Sequence, residues 1–325
     1  MAKKRLQKKR EAARASAAQT AAPKAEPVKK ATKTVAPLKV ETKKTEPVKV
    51  ETKKADAVKV ETAKSDPVRL ENKRDDNRIY CERLARHLDE LKWLYCELYQ
   101  DNPYVTMHLN DLLKVLKKFY DMRGNALKES DLKREKDPTW YKRNDLTGMM
   151  MYVNAFAGTL SNLESKLDYV QECNVNYLHL MPLLDSPKRR SDGGYAVADF
   201  RKIQEELGTM DDFADLTAAC HKRGINVCLD FVMNHTSEDH EWAKRARNGE
   251  KEYQDRYFFF DNYDIPSLYE QTCPEVFPTT APGNFTWLED LHKHVMTTFY
   301  PYQWDLNYRN PIVLNEMIFN MLYLA

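Results

Sequence analysis

Apolar and polar positions divide the chain into three textures. In residues 1–75 no aromatic residue occurs and aliphatic residues are sparse. Residues 36–75 split into the ten-residue units APLKVETKKT, EPVKVETKKA, DAVKVETAKS and DPVRLENKRD. Such units are shorter than solenoid repeats and carry no hydrophobic face, so they cannot bury enough surface to offset chain entropy. Residues 1–76 are expected to be a disordered tail. From Arg78 the pattern changes: Ile79, Leu84, Leu88, Leu91, Tyr95 and Leu98 fall on one helical face, and Asp101, Asn102 and Pro103 stop that helix. A second helix is predicted over 108–121, with Leu112, Leu113, Leu116 and Phe119 on one side. Residues 77–140 therefore read as a packed helical domain without chemistry of its own.

The third texture begins near residue 148. Apolar runs at 148–157 (GMMMYVNAFA), 175–184 (VNYLHLMPLL) and 225–234 (INVCLDFVMN) alternate with amphipathic stretches at 160–173 and 211–223. The second amphipathic stretch ends at Gly224, a good left-handed cap. Strand, helix, strand, helix, strand with nearly continuous apolar strands predicts an α/β fold with a parallel sheet covered on its faces. A (β/α)8 barrel and a doubly wound sheet both fit. No G-x-G-x-x-G follows the first strand, which weakens the dinucleotide-binding option. In a barrel, function sits in the loops after the strands. Two polar stretches fall there, DSPKRRSDGGYAVADF (185–200) and DFVMNHTSEDHEW (230–242). The long aromatic-rich excursion that follows suggests a small subdomain inserted over about 233–305.

Charge sharpens the division. Of 51 Lys and Arg, 22 lie in residues 1–75, against 10 of the 49 Asp and Glu, which leaves 29 basic and 39 acidic residues for 76–325. A basic tail joins an acidic body. Only the tail suits nucleic acid or another polyanion, and without aromatics for stacking such binding would be electrostatic and salt-sensitive. The six cysteines show no C-x-x-C pair or regular spacing, so a reducing compartment is expected. The basic N-terminus lacks the apolar core of a secretory signal, and no apolar run approaches the roughly 20 residues of a membrane span. These features predict a cytoplasmic protein with no membrane partner.

The density of His and carboxylate in DFVMNHTSEDHEW fits a metal site, an acid–base site, a sugar pocket or a wet loop. The metal reading fails on spacing: His235 and His240 are five apart, no H-E-x-x-H occurs, and no cysteine is adjacent. No metal and no cofactor are expected. Glu238, Asp239 and His240 read as solvated loop residues, and His179 as a hydrogen-bonded histidine inside the second strand. Asp192-Gly193-Gly194 alone is a turn signal.

SDGGYAVADF, LGTMDDFADLTAACHKRGINVCLDFVMNHTSEDHEW and YPYQWDLNYRNPIV together resemble the first half of a family 13 glycoside hydrolase, the α-amylase superfamily. D-x-x-x-N-H after the third strand is that superfamily's first signature. Within it, TGMMMYVNAFAGTLSNLESKLDYV, EWAKRARNGEKEYQDRYFFF and EVFPTTAPGNFTW are most similar to amylosucrases. The resemblance covers about 78–325 and implies a (β/α)8 barrel whose third loop is a B domain. It also implies a carbohydrate-active enzyme that uses a retaining mechanism on α-glucosidic bonds, with two carboxyl groups about 5 Å apart. Amylosucrases transfer glucose from sucrose to an α-1,4-glucan and release fructose.

Carried over residue by residue, the resemblance makes His235 the pocket histidine that bonds glucosyl hydroxyls, and Tyr195 the aromatic face on which the sugar stacks. Asp192 matches an aspartate that pairs with a downstream arginine to wall off the pocket. Phe299 and Gln303 align with further substrate-binding residues, while Asp230 and Asn234 support the strand end. Some α-amylases place a calcium ligand at the position of Asn234, but amylosucrases are not known as calcium enzymes.

The departure from the family is large, since the acid, a second histidine–aspartate pair and the arginine that would pair with Asp192 are absent along with the nucleophile. The nucleophile belongs to an Arg-x-Asp motif at the end of a fourth strand, soon after a helix like NPIVLNEMIFNMLYLA, and none follows W-D-L-N here. No catalytic residue is assigned, and the chain is expected to be the N-terminal part of a larger enzyme. Three functions compete: glucosyl transfer from sucrose, hydrolysis of an α-glucan or other α-glucoside, and noncatalytic polyanion binding through the tail.

Overall fold

The computed structural model describes residues 67–325, with side chains from Asp75 onward. The expected disordered tail, its repeats and its polyanion partner lie outside the described residues, except for 67–76. Those residues open helix α1 (Pro67–Ala85), with Pro67 in the first turn where a missing N–H costs nothing. The start expected at 77 followed the apolar stripe, whereas the helix begins in polar sequence that carries no stripe.

Helices α2 (Leu88–Leu98), α3 (Val105–Met122) and α4 (Asn125–Lys136) follow. The single helix expected over 79–98 is broken after Ala85 by a tight turn, with His87 N bonded to Leu84 O at 3.0 Å. Its buried positions also differ from the predicted face. Tyr95 is buried as predicted, but Leu98 is 61% exposed and Tyr99, outside the predicted stripe, is buried instead. Tyrosine wins because its ring buries as well as leucine and its hydroxyl still finds an acceptor. Tyr95 OH donates to Asn315 Oδ1 and Tyr99 OH to Tyr308 O, each at 3.0 Å. Both rings pack with Leu109 and Leu112 against Leu314 and Ile318, which belong to the last helix, Pro311–Leu324.

Strands β1 (Gly148–Met151), β2 (Tyr177–Leu180) and β5 (Asn226–Leu229) form a parallel sheet in the order β1-β2-β5, with Met150, His179 and Cys228 in register. Helices α5 (Leu160–Glu164) and α6 (Leu167–Glu172) return β1 to β2, and α7 (Met210–Lys222) precedes β5. Between β2 and α7, β3 (Leu184–Asp185) and β4 (Asp199–Ile203) pair antiparallel and close the first long loop. Helix α7 starts in a capping box, Thr209 with Asp212, and ends at Gly224 with φ +73°.

Leu178 and Leu180 of β2 are fully buried in one cluster with Leu160, Leu163, Leu167, Val170 and Leu216. Both crossovers therefore lie on one face of the sheet, and α5 packs on α7. A doubly wound sheet would place helices on both faces, so this arrangement is the start of a barrel wall. Tyr177 and His179 alternate onto the other face.

After β5 the chain makes its long excursion. Strand β6 (His235–Ser237) leaves the sheet and pairs antiparallel with β10 (Gln303–Asp305). Between them lie α8 (Glu241–Arg247) and an antiparallel sheet of β7 (Phe259–Phe260), β8 (Phe285–Leu288) and β9 (Lys293–Met296), ordered β7-β9-β8. Trp304, Tyr257 and Val295 form its buried centre. The chain then enters α9 (Pro311–Leu324), capped by Asn310. Among the described residues no helix is long and apolar enough to cross a membrane, and all six cysteines are unpaired.

Candidate active site

The loop between β3 and β4 turns on three consecutive left-handed residues: Asp192 (φ +50°), Gly193 (φ +68°) and Gly194 (φ +99°). Aspartate tolerates this region better than most residues, and glycine at no cost. A side chain at Gly194 is also excluded by space, because its Cβ would stand 2.7 Å from Pro182 Cβ. The turn aims its neighbours at two other segments. Gln303 Nε2, on β10, donates to Asp192 Oδ2 at 3.2 Å. Tyr195 OH donates to Asp230 Oδ2, just beyond β5, at 3.1 Å.

His235 lies beneath this turn, buried, with its ring 5.0 Å from that of Phe299. Its Nε2 faces the carbonyl of Tyr195 at 3.2 Å, and a carbonyl can only accept, so Nε2 carries the hydrogen. Nδ1 then accepts from Asn234 Nδ2 at 3.3 Å. Burial pulls His235 down to about 4, against the opposing pull of Tyr195 and Asp192, so the ring is neutral at physiological pH. Burial, and next the bond to Asp230, push the Tyr195 phenol up to about 12.

All seven residues singled out from the sequence, Asp192, Tyr195, Asp230, Asn234, His235, Phe299 and Gln303, thus join one connected constellation drawn from three chain segments. One detail differs from expectation. Both nitrogens of His235 already have protein partners, so a sugar hydroxyl would have to share or replace one of them.

Other expectations need correcting. His240 is not a solvated loop residue: it is 7% exposed and caps α8, with Nδ1 accepting from Trp242 N at 3.1 Å. Burial, with Arg256, Arg201 and Lys244 adding to it, pulls its pKa down to about 3. The side chain of Glu238 is largely buried and accepts from Arg190 and from Arg247, the latter at 2.9 Å. These bonds tie the Asp192 loop to the excursion. Both residues sit where a polar loop turns into α8, and a polar string alone does not show which of its members will cap or pair.

Two further members of the constellation were not assigned to it from the sequence. Asp305 Oδ1 accepts from Asn234 Nδ2 at 3.2 Å and from Thr298 N at 3.1 Å, and Oδ2 accepts from the Thr298 hydroxyl. Burial raises its pKa despite these bonds. Its signal was the aspartate of W-D-L-N. His179 is hydrogen-bonded inside its strand as expected, and its partner is Asp230, with Nε2 3.1 Å from Oδ1.

The sequence model of the α-amylase catalytic domain matches residues 116–324. The chain belongs to the α-amylase family. Its relatives include the trehalose synthase/amylase TreS of Mycolicibacterium smegmatis, 40% identical over 165 residues, which are 50% of this chain and 26% of that protein. Maltase 1 of Drosophila virilis is 38% identical over 171 residues, 51% of this chain and 26% of that one. The chain thus spans about a quarter of the length of these curated relatives. Among solved structures, isomaltulose synthase from Protaminobacter rubrum aligns with a TM-score of 0.48 and 26% identity over 55% of this chain and 32% of its own. Family membership makes the three parallel strands and their helices the first part of a (β/α)8 barrel.

Proposed function

We propose that this constellation is one wall of a glucosyl-binding pocket in an enzyme that acts on α-glucosidic bonds by a retaining mechanism. The observation that carries the reading is the joining of Asp192, Tyr195, His235, Phe299 and Gln303 around one turn. They combine an aromatic face, a neutral imidazole and a fixed carboxylate, which suits an uncharged ring bearing many hydroxyls.

In this reading the sugar ring stacks on Tyr195, whose phenol and carbonyl are both held, while His235 donates to or accepts from a hydroxyl. Asp192, oriented by Gln303, accepts from a further hydroxyl. Asp230 and Asn234 hold these groups in place, and no step of bond cleavage falls to them. The division into a helical segment (77–140), a barrel (141–325) and an insertion (233–305) is part of the same proposal.

The reaction we favour is amylosucrase-like transfer of glucose from sucrose to an α-1,4-glucan, supported by the signature stretches quoted above. A second reading, hydrolysis or rearrangement of another α-glucosyl disaccharide, is favoured by relatives named as trehalose synthase and maltase. Because no nucleophile is assigned in this chain, titration with sucrose and, separately, with maltose distinguishes them by binding. Tighter binding of sucrose supports the first, tighter binding of maltose the second, and binding of neither would sink both.

A further inference from the structure

We infer that His179 is a positioning residue of the pocket, acting through Asp230 on Tyr195; the role in sugar binding rests on the glucosyl-pocket reading. The two oxygens of Asp230 are divided between two partners at equal distance. Oδ1 faces His179 Nε2 and Oδ2 accepts from Tyr195 OH, each at 3.1 Å. A carboxylate oxygen accepts, so Nε2 of His179 carries the hydrogen.

A carboxyl terminus rotates in a broad well about its last torsion. Fastened at Oδ1, it can offer Oδ2 in only one place. The phenol is then held at its hydroxyl by Asp230, while the Tyr195 backbone is held at its carbonyl by His235 at 3.2 Å. The Tyr195 N–H also donates to Asp192 O at 3.2 Å, so the backbone is fixed by the turn and Asp230 fixes the phenol end of the ring.

The strand itself has no need of a histidine. Leu178 and Leu180 bury the helix-facing side of β2, and the register neighbours of His179 are Met150 and Cys228. A polar ring whose side chain is only 28% exposed costs desolvation, and the bond to Asp230 offsets that cost. An apolar residue would serve packing as well, so the histidine serves Asp230.

The test uses the full chain with ¹³C-labelled tyrosine rings, with Tyr195→Phe to assign the Tyr195 signal and glucose as the probe. His179→Phe keeps a ring and removes the donor. His179→Gln places an amide donor near the position of Nε2. The Phe variant is expected to move the Tyr195 signal and weaken glucose about five- to ten-fold, and the Gln variant to restore both to within about two-fold. If the Phe variant fails to fold by circular dichroism, His179→Asn, whose amide falls short of Asp230, replaces it. A Tyr195 signal indifferent to loss of the donor overturns the inference, as does a Gln variant no better than Phe. If glucose leaves Tyr195 untouched in the parent while loss of the donor shifts its signal and Gln restores it, positioning stands and the sugar reading is what fails.

Discussion

Asn234 Nδ2 lies 3.2 Å from Asp305 Oδ1, joining the residue where the excursion leaves the barrel to the one where it returns. The backbone repeats the junction, with Leu306 N bonded to Asn234 O at 2.9 Å. The second oxygen of Asp305 takes the Thr298 hydroxyl, so one buried carboxyl closes the neck of the insertion. Asp305→Ala leaves these donors without a partner and is expected to cost about 3 kcal/mol in urea unfolding. Because burial raises the Asp305 pKa, its carboxyl favours folding below the ordinary carboxylate value. That contribution is lost as pH rises through the raised value, and the Ala variant should not show it.

The two buried histidines give the opposite slope. His235 is pulled down to about 4 and His240 to about 3, from 6.5 in the unfolded chain. Below 6.5 the unfolded chain takes up protons that the folded chain cannot. Stability is therefore complete above that pH and falls by a few kcal/mol in total as the solution is acidified toward 4. Urea midpoints across this range check the slope, and His240→Gln should flatten part of it. A slope unchanged in that variant would show that His240 takes up its proton in the folded state.

Gly194→Ala tests the turn. The new methyl meets Pro182 Cβ at 2.7 Å in a backbone at φ +99°, so both sterics and conformation oppose it. A loss of about 2–4 kcal/mol is expected from strain plus clash. Gly224→Ala makes a useful comparison, since φ is +73° there but nothing lies within 4 Å of the added carbon. Its cost should be only about 1 kcal/mol, and equal losses at the two sites would mean that space at Gly194 is not limiting.

The legibility of this chain followed the range of the interactions involved. Helix α7 was visible because its amphipathic run and terminal glycine are local signals that agree, and the capping box of Thr209 and Asp212 is a further local signal beside them. The barrel strands were visible as apolar runs, although pairing in β2 spans only Tyr177–Leu180 of the run at 175–184. Pro182, with no N–H to donate, helps end the strand where the chain turns into the loop. Tyr99 hid in the first helix because its value comes from Tyr308, a contact across the chain that periodicity cannot see. The candidate pocket residues came from a motif resemblance, and composition alone left them as a polar loop. His240 and Asp305 were obscured for a common reason: a buried polar residue and a solvated one share one letter, and only the partner distinguishes them.

Gln303 offers the sharpest test of how the wall is fastened. It is fully buried, its Oε1 accepts from Tyr300 N at 3.0 Å, and its Nε2 donates to Asp192 Oδ2 at 3.2 Å. Gln303→Glu changes almost no volume but replaces the donor by an oxygen facing a carboxylate. Near neutral pH two like charges would then share a buried contact, and the variant should lose about 2–3 kcal/mol relative to the parent. Acidification lets one of the pair take a proton and restore a hydrogen bond, so the difference should shrink as pH falls toward about 5. Gln303→Leu, with no group to protonate, should stay destabilised by about 1–3 kcal/mol across the same range. Unfolding both variants in urea at the two pH values separates loss of the bond from repulsion. A Glu variant whose deficit does not change with pH would mean that Asp192 is turned away from Gln303 in solution.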